Sequence, residues 1–144
     1  MCGIAGEVDL SGAPDAEAIR RATRALAHRG PDADGFFIEG PAAFGHRRLS
    51  ILDLEGGAQP MTREGVTLIF NGQAYDHDAL RDQLRGRGHA FTTRSDTEVV
   101  LRAYLEWGEE FAERVHGMFA SRCPVYRSLY PAIAITTELV FTAS

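Results

Sequence analysis

Cys2 stands directly behind the initiator methionine, an odd place for an ordinary buried thiol. It is either a small hydrophobe opening a strand or the future N-terminal residue of a working enzyme. Other residues able to do chemistry recur downstream. Arg47 and Arg48 are adjacent, and a guanidinium fork matches a carboxylate bidentately where a lysine would not. On a strand only one of the two can face a given side, which leaves the other in solvent. Asn71-Gly72 is the commonest hairpin turn signal, so its flanks must decide whether it does more. Asp96 opens a helical pattern, where a carboxylate favours the positive end of the dipole.

The elements that must position these residues can be read from the pattern. "CGIAGEVDL" is a short apolar strand ended by "SGAP". "DAEAIRRATRALAHRGP" is a helix with Asp15 as N-cap, Ile19, Ala22, Thr23 and Leu26 on one face, and Gly30-Pro31 as its stop. "GFFIEG" and "AAFGHRRLSILDL" read as strands joined by a Gly-Pro turn, and "GVTLIFNG" as a further strand. "DHDALRDQLRGRGH" is a short helix with Leu80 and Leu84 on one face. "SDTEVVLRAYLEWG" is the strongest helix: Ser95 and Glu98 have capping-box spacing, and Gly108 closes it. "EEFAERV" predicts one more short helix. Strands precede the main helices without a βαβ rhythm, which argues for an α+β layered fold.

The 144 residues suffice for one domain with a real core. An apolar fraction of 44%, a charged fraction of 24% and a net charge of -5 describe a soluble globular chain. Interleaved charges leave no basic stripe for nucleic acid, and no apolar run approaches a membrane span. Glu7 and Asp9 interrupt the stretch where a signal peptide would need its apolar core. Two cysteines, Cys2 and Cys123, cannot build a four-ligand zinc site or a disulfide framework, so neither a metal nor an oxidising compartment is expected. The expected location is the cytoplasm.

Five segments in order, "MCGIAG", "HRGPDADG", "GHRRLSILDLEGGAQPM", "FNGQAY" and "SDTEVVLRAYLEWG", resemble the N-terminal glutaminase domain of asparagine synthetases. "GMFA" extends the resemblance, which covers residues 1–120. That domain is a class II glutamine amidotransferase of the N-terminal-nucleophile type. The resemblance implies a four-layer α/β/β/α sandwich and hydrolysis of L-glutamine to glutamate and ammonia. In the family the methionine is removed, and the Cys2 thiolate attacks the glutamine side-chain amide. The freed α-amine then serves as base, and its pKa near 7.7–8.0 lies close to the ~8.5 of a thiol.

By the same resemblance Arg48 grips the substrate α-carboxylate and Asp96 binds its α-ammonium. Asn71 and Gly72 supply the side-chain amide and backbone N–H of an oxyanion hole, although the hairpin reading of the dipeptide stays open. Where the family usually has "NGE" this chain has "NGQ", so Gln73 keeps an acceptor for the ammonium but loses a charge. Charged hydrogen bonds exceed neutral ones by roughly 1 kcal/mol, about five-fold in affinity. His28, Arg29 and Asp32 are expected to build the loop around the site, and His46 to be structural.

After "GMFA" the family continues with more strands and then an ATP-binding synthetase domain. Residues 121–144 resemble neither, and Arg122, Arg127 and Glu138 are their only charged residues. This change of composition reads as a shifted frame or a truncated product and predicts a sandwich incomplete at its C-terminus. ATP and magnesium would belong to the missing domain, with no cofactor in this chain. The expected partners are L-glutamine and a synthetase domain or subunit. The competing expectation is a non-catalytic remnant or interaction fragment.

Overall fold

Asp15 accepts the N–H of Ala18 at 2.8 Å and so starts helix α1 (Ala16–Ala25), which a 3-10 turn over Leu26–His28 ends. The helix lies on a three-stranded antiparallel sheet made of β1 (Gly3–Val8), β2 (Ala33–Glu39) and β3 (Ala42–Arg48), in the order β1-β3-β2. The computed structural model describes residues 2–50, 53 and 56–111. The expected character of residues 121–144 and the rest of "EEFAERV" lie outside them, apart from a 3-10 turn over Gly108–Glu110.

β3 is the centre of the sheet and ends at Arg48; in the expected continuation through "SILDL", Leu49 and Ser50 are not strand, and residues 51, 52 and 54 lie outside the described ones. Its side chains alternate. Gly45 lies against Thr23 of α1, whereas His46 and Arg48 face the other side, toward the remaining elements. The register Gly3↔Arg47 brings the start of β1 to the end of β3, so Cys2 comes to rest beside Arg48 and Leu49.

A hairpin missed in the sequence follows: β4 (Met61–Arg63) and β5 (Val66–Leu68). Its turn is Glu64-Gly65, both at positive φ, as a two-residue loop between right-twisted strands requires. "MTR" is too short to show alternation, so β4 left no signal. The expected strand "GVTLIFNG" contributes only its first apolar residues. The hairpin rests on α3 (Asp96–Trp107), whose Arg102 forms an ion pair with Glu64 of the hairpin turn.

Helices α2 (His77–Gly86) and α3 pack through Leu80, Leu84, Val99 and Ala103, with Phe91, Trp107 and Phe111 at the margin. Four such side chains removed from water contribute roughly 1.5–3 kcal/mol each for the larger ones, which makes this the apolar anchor of the second half. Gly108 closes α3 at φ 57°, where a side chain would be strained. The described chain therefore has mixed α and β content with two small antiparallel sheets. No helix among the described residues is long and apolar enough to cross a membrane.

Candidate active site

Cys2, Arg48, Asn71, Gly72, Gln73 and Asp96 line one cleft of about 260 Å3. Three separate parts of the chain supply them: the β1–β3 junction, the run after β5, and the first turn of α3.

The sulfur of Cys2 accepts the N–H of Leu49 at 3.4 Å and lies 3.8 Å from the Leu49 carbonyl. The Cys2 carbonyl accepts Arg29 Nε at 3.0 Å. Both contacts orient the residue at the chain start, and the second gives Arg29 a definite task within its loop. Asp32 belongs to the same loop and accepts the N–H of Ser50 at 2.7 Å, just past β3.

Arg48 is buried, at 7% exposure, on the cleft side of β3. A buried guanidinium needs partners, and Arg48 Nη2 donates to the Asp53 carbonyl. The guanidinium also lies so close over Gly57 that a Cβ there would overlap it. The Asp53 carboxylate in turn accepts Gly56 and Arg94 N–H groups at 2.9 and 2.7 Å, which hold it below the usual carboxylate range. The loop that receives Arg48 is thus fixed at both ends.

Arg47 points the opposite way, as strand alternation requires, but it does not sit in solvent. Its Nε donates to the Gly30 carbonyl at 2.8 Å and its Nη1 pairs with Asp34 on β2 at 3.2 Å. The side chain is 15% exposed, because the Gly30 loop and the neighbouring strand cover that side of β3.

Asn71 and Gly72 form no hairpin turn. The chain passes from β5 through them into α2, and neither has the positive φ that a type I′ turn needs. Both are exposed on the cleft, as is Gln73. Asp96, at 8% exposure, accepts the N–H of Ala74 through Oδ2 at 3.0 Å.

Ser95 caps α3 by accepting the Thr97 N–H at 3.1 Å, but the expected capping box does not form. The Ser95 N–H goes to Thr93 Oγ1, which leaves Glu98 for the loop before it. Glu98 is fully buried and takes the amides and hydroxyls of Thr92 and Thr93 at 2.7–3.2 Å. Burial pushes its pKa up, and these hydrogen bonds outweigh burial and bring it below the usual value.

His46 is buried, and its Nε2 has no hydrogen-bond partner among the described residues; it lies two residues before Arg48 on the same side of β3. Gln59, in the "GGAQPM" segment, also lines the cleft. Among the described residues no three His, Cys, Asp or Glu side chains converge in a way that could hold a metal ion.

A family model described as a glutamine amidotransferase domain matches residues 1–126. This chain belongs to that family. It is 43% identical over 126 residues to the glutamine-hydrolysing asparagine synthetase 1 of Bacillus subtilis, covering 83% of this chain and 20% of the relative. The corresponding figures are 41% over 126 residues for asparagine synthetase B of Escherichia coli, at 83% and 22%. Asparagine synthetase 1 of Arabidopsis thaliana is 36% identical over 124 residues, at 83% and 21%. The chain spans about a fifth of the length of the curated relatives it matches. In this glutamine amidotransferase family member, Cys2 faces a cleft that also holds a buried arginine and a buried aspartate.

Proposed function

We propose that this cleft hydrolyses L-glutamine to glutamate and ammonia through a thioester on Cys2, after removal of Met1. The observation that supports the reading most is the convergence of Cys2, Arg48, Asn71, Gly72 and Asp96 on one cleft from three distant parts of the chain. Arg48 takes the substrate α-carboxylate, and Asp96, with Gln73 beside it, takes the α-ammonium. These two anchors fix the substrate backbone, and the side-chain amide then reaches toward Cys2.

The Cys2 sulfur adds to the amide carbon as its proton passes to the freed α-amine. The carbonyl pair moves onto oxygen, which the Asn71 side-chain amide and the Gly72 N–H stabilise. Loss of one such donor elsewhere costs about 2.7–4 kcal/mol. Collapse breaks the C–N bond, and the protonated α-amine of Cys2 returns the proton to the leaving nitrogen as ammonia departs. Water then adds to the thioester, and a second collapse releases glutamate and the Cys2 thiol.

The finer fold belongs to the same proposal. The sheet face opposite α1 carries Ile4, Val8, Phe37 and Phe44, with Ile4 and Val8 exposed. In an α/β/β/α sandwich this is the face against which the second sheet packs. We assign the domain to residues 1–120, with residues 121–144 apart from it. The ammonia would serve an ATP- and magnesium-dependent synthetase domain or subunit, to which no described residue is assigned, in a cytoplasmic setting.

Intact-mass measurement tests the mechanism directly: the chain should lack Met1. A diazo-ketone analogue of glutamine should add once, at Cys2 and not at Cys123, and Cys2→Ala should abolish ammonia release. A retained methionine, labelling at Cys123, or ammonia release that survives Cys2→Ala would overturn the mechanism.

A further inference from the structure

We infer that Gln59 is a positioning residue that sets the Phe70–Gly72 backbone for the oxyanion. The inference rests on the glutaminase reading above and adds to it a residue with no assigned role.

The β4–β5 ladder pairs Met61 with Leu68, Thr62 with Thr67 and Arg63 with Val66. Extended outward, the same register sets Pro60 against Ile69 and Gln59 against Phe70. The ladder stops at Met61 and Leu68, and neither Gln59 nor Phe70 is part of a strand. The backbone leading into Asn71 and Gly72 therefore lies beyond the strand that should steady it. The Gln59 side chain takes over. Its Oε1 accepts the Phe70 N–H at 2.6 Å, and its Nε2 donates to Thr97 Oγ1 at 3.1 Å.

Both ends of this link are firm. Thr97 is buried in the first turn of α3, at 3% exposure. The Gln59 carbonyl abuts β2 at Gly35, where a Cβ would overlap it. The far end of the run is tied to the same turn of α3 through Ala74 and Asp96. Asn71, Gly72 and Gln73 are thus strung between two attachments. Loosening the Gln59 end moves the oxyanion donors and leaves Arg48 and Asp96 in place. This geometry calls for a loss in kcat without a matching rise in KM, since the oxyanion exists only along the reaction path.

The test uses the full chain. Gln59→Leu removes both bonds at similar volume. Gln59→Glu retains them, because a carboxylate accepts the Phe70 N–H and the Thr97 hydroxyl can turn to donate. For Gln59→Leu, kcat for glutamine should fall about 10- to 100-fold, the scale of an ångström's misplacement, with KM changed less than about threefold. Amide exchange at Phe70, followed by NMR, should speed up about tenfold as the local bond is lost. Gln59→Glu should restore both kcat and protection.

An unchanged kcat in Gln59→Leu, or parallel losses in substrate binding and kcat, would overturn the inference. So would failure of Gln59→Glu to rescue while its Phe70 amide stays protected. If the unaltered chain releases no ammonia, the glutaminase reading fails by itself, and Phe70 exchange alone decides the positioning claim. Faster exchange in Gln59→Leu and normal exchange in Gln59→Glu would then uphold it, and equal exchange would sink it. Should Gln59→Leu fail to fold, Thr97→Val, which cuts only the anchor, takes its place with the same signs expected at smaller amplitude.

Discussion

The Asp96 carboxylate accepts the N–H of Ala74 at 3.0 Å, which fastens the residue after Gln73 to the first turn of α3. Gln73 is thereby held beside a buried carboxylate at the cleft, where the substrate ammonium is proposed to bind. Gln73→Glu would add a second negative charge at that point. KM for glutamine should drop by roughly five-fold, the difference between a charged and a neutral hydrogen bond, while kcat stays nearly constant. The ammonium is held alike in ground and transition states, so the added contact is uniform binding. Steady-state kinetics checks this, and a large change in kcat would place Gln73 at the reacting amide instead.

The two neighbouring arginines should separate cleanly. Arg48→Ala should lower kcat/KM by about 2–4 kcal/mol, the scale of truncating one partner of a buried hydrogen-bonded charge pair. Arg47 faces away from the cleft, where it joins the Gly30 loop to Asp34. Arg47→Ala should leave kcat/KM within about threefold and lower stability by about 1 kcal/mol, the worth of an ordinary hydrogen bond. Kinetics and thermal melts on both variants read the two quantities apart. Equal losses of kcat/KM would refute the assignment of Arg48.

The positions of these residues were legible to different depths. Local rules announced the Asp15 cap, the Gly40-Pro41 turn and the Gly108 stop, because each depends on its immediate neighbours. The grouping of Cys2, Arg48 and Asp96 is not local. Nothing in their spacing says that the β1–β3 junction meets the first turn of α3, and only the family resemblance suggested it. Asn71-Gly72 shows the hazard of the reverse inference, since the strongest hairpin dipeptide in the chain is not at a hairpin. The hairpin uses Glu64-Gly65, with a non-glycine at positive φ that no simple rule would choose.

Misreadings at Glu98 and Arg47 have one cause. Spacing says which groups are near in sequence, whereas partners are chosen by what else competes nearby. Ser95 has the spacing for a reciprocal cap, but Thr93 claims its N–H and frees Glu98 to gather four donors from Thr92 and Thr93. Arg47 alternates correctly and finds a carbonyl where open water was expected. Gln59 left a weaker trace, an amide side chain directly before a proline at the edge of a strand. Its meaning emerges only once the register across to Phe70 is known.

His46 gives stability a pH dependence whose sign can be worked out. Burial, first, pushes its pKa below the usual 6.5; a backbone hydrogen bond at Phe70 pulls it back, and the Arg48 guanidinium depresses it further. The folded chain therefore holds His46 neutral at pH values where the unfolded chain has begun to protonate it. In that window the unfolded state binds more protons, so stability rises with pH. The contribution is complete above about 6.5 and is lost as pH falls through the lower folded value. The slope from one such group cannot exceed about 1.4 kcal/mol per pH unit. Melting temperatures of the unaltered chain should thus fall between pH 7.5 and 5. His46→Gln removes the titrating ring and should flatten that decline, whatever offset it adds at pH 7.5. The decisive quantity is the difference in slope between the two proteins, in which the other four histidines cancel. Parallel curves would mean that His46 takes up its proton equally in both states, and burial would then not be what controls it.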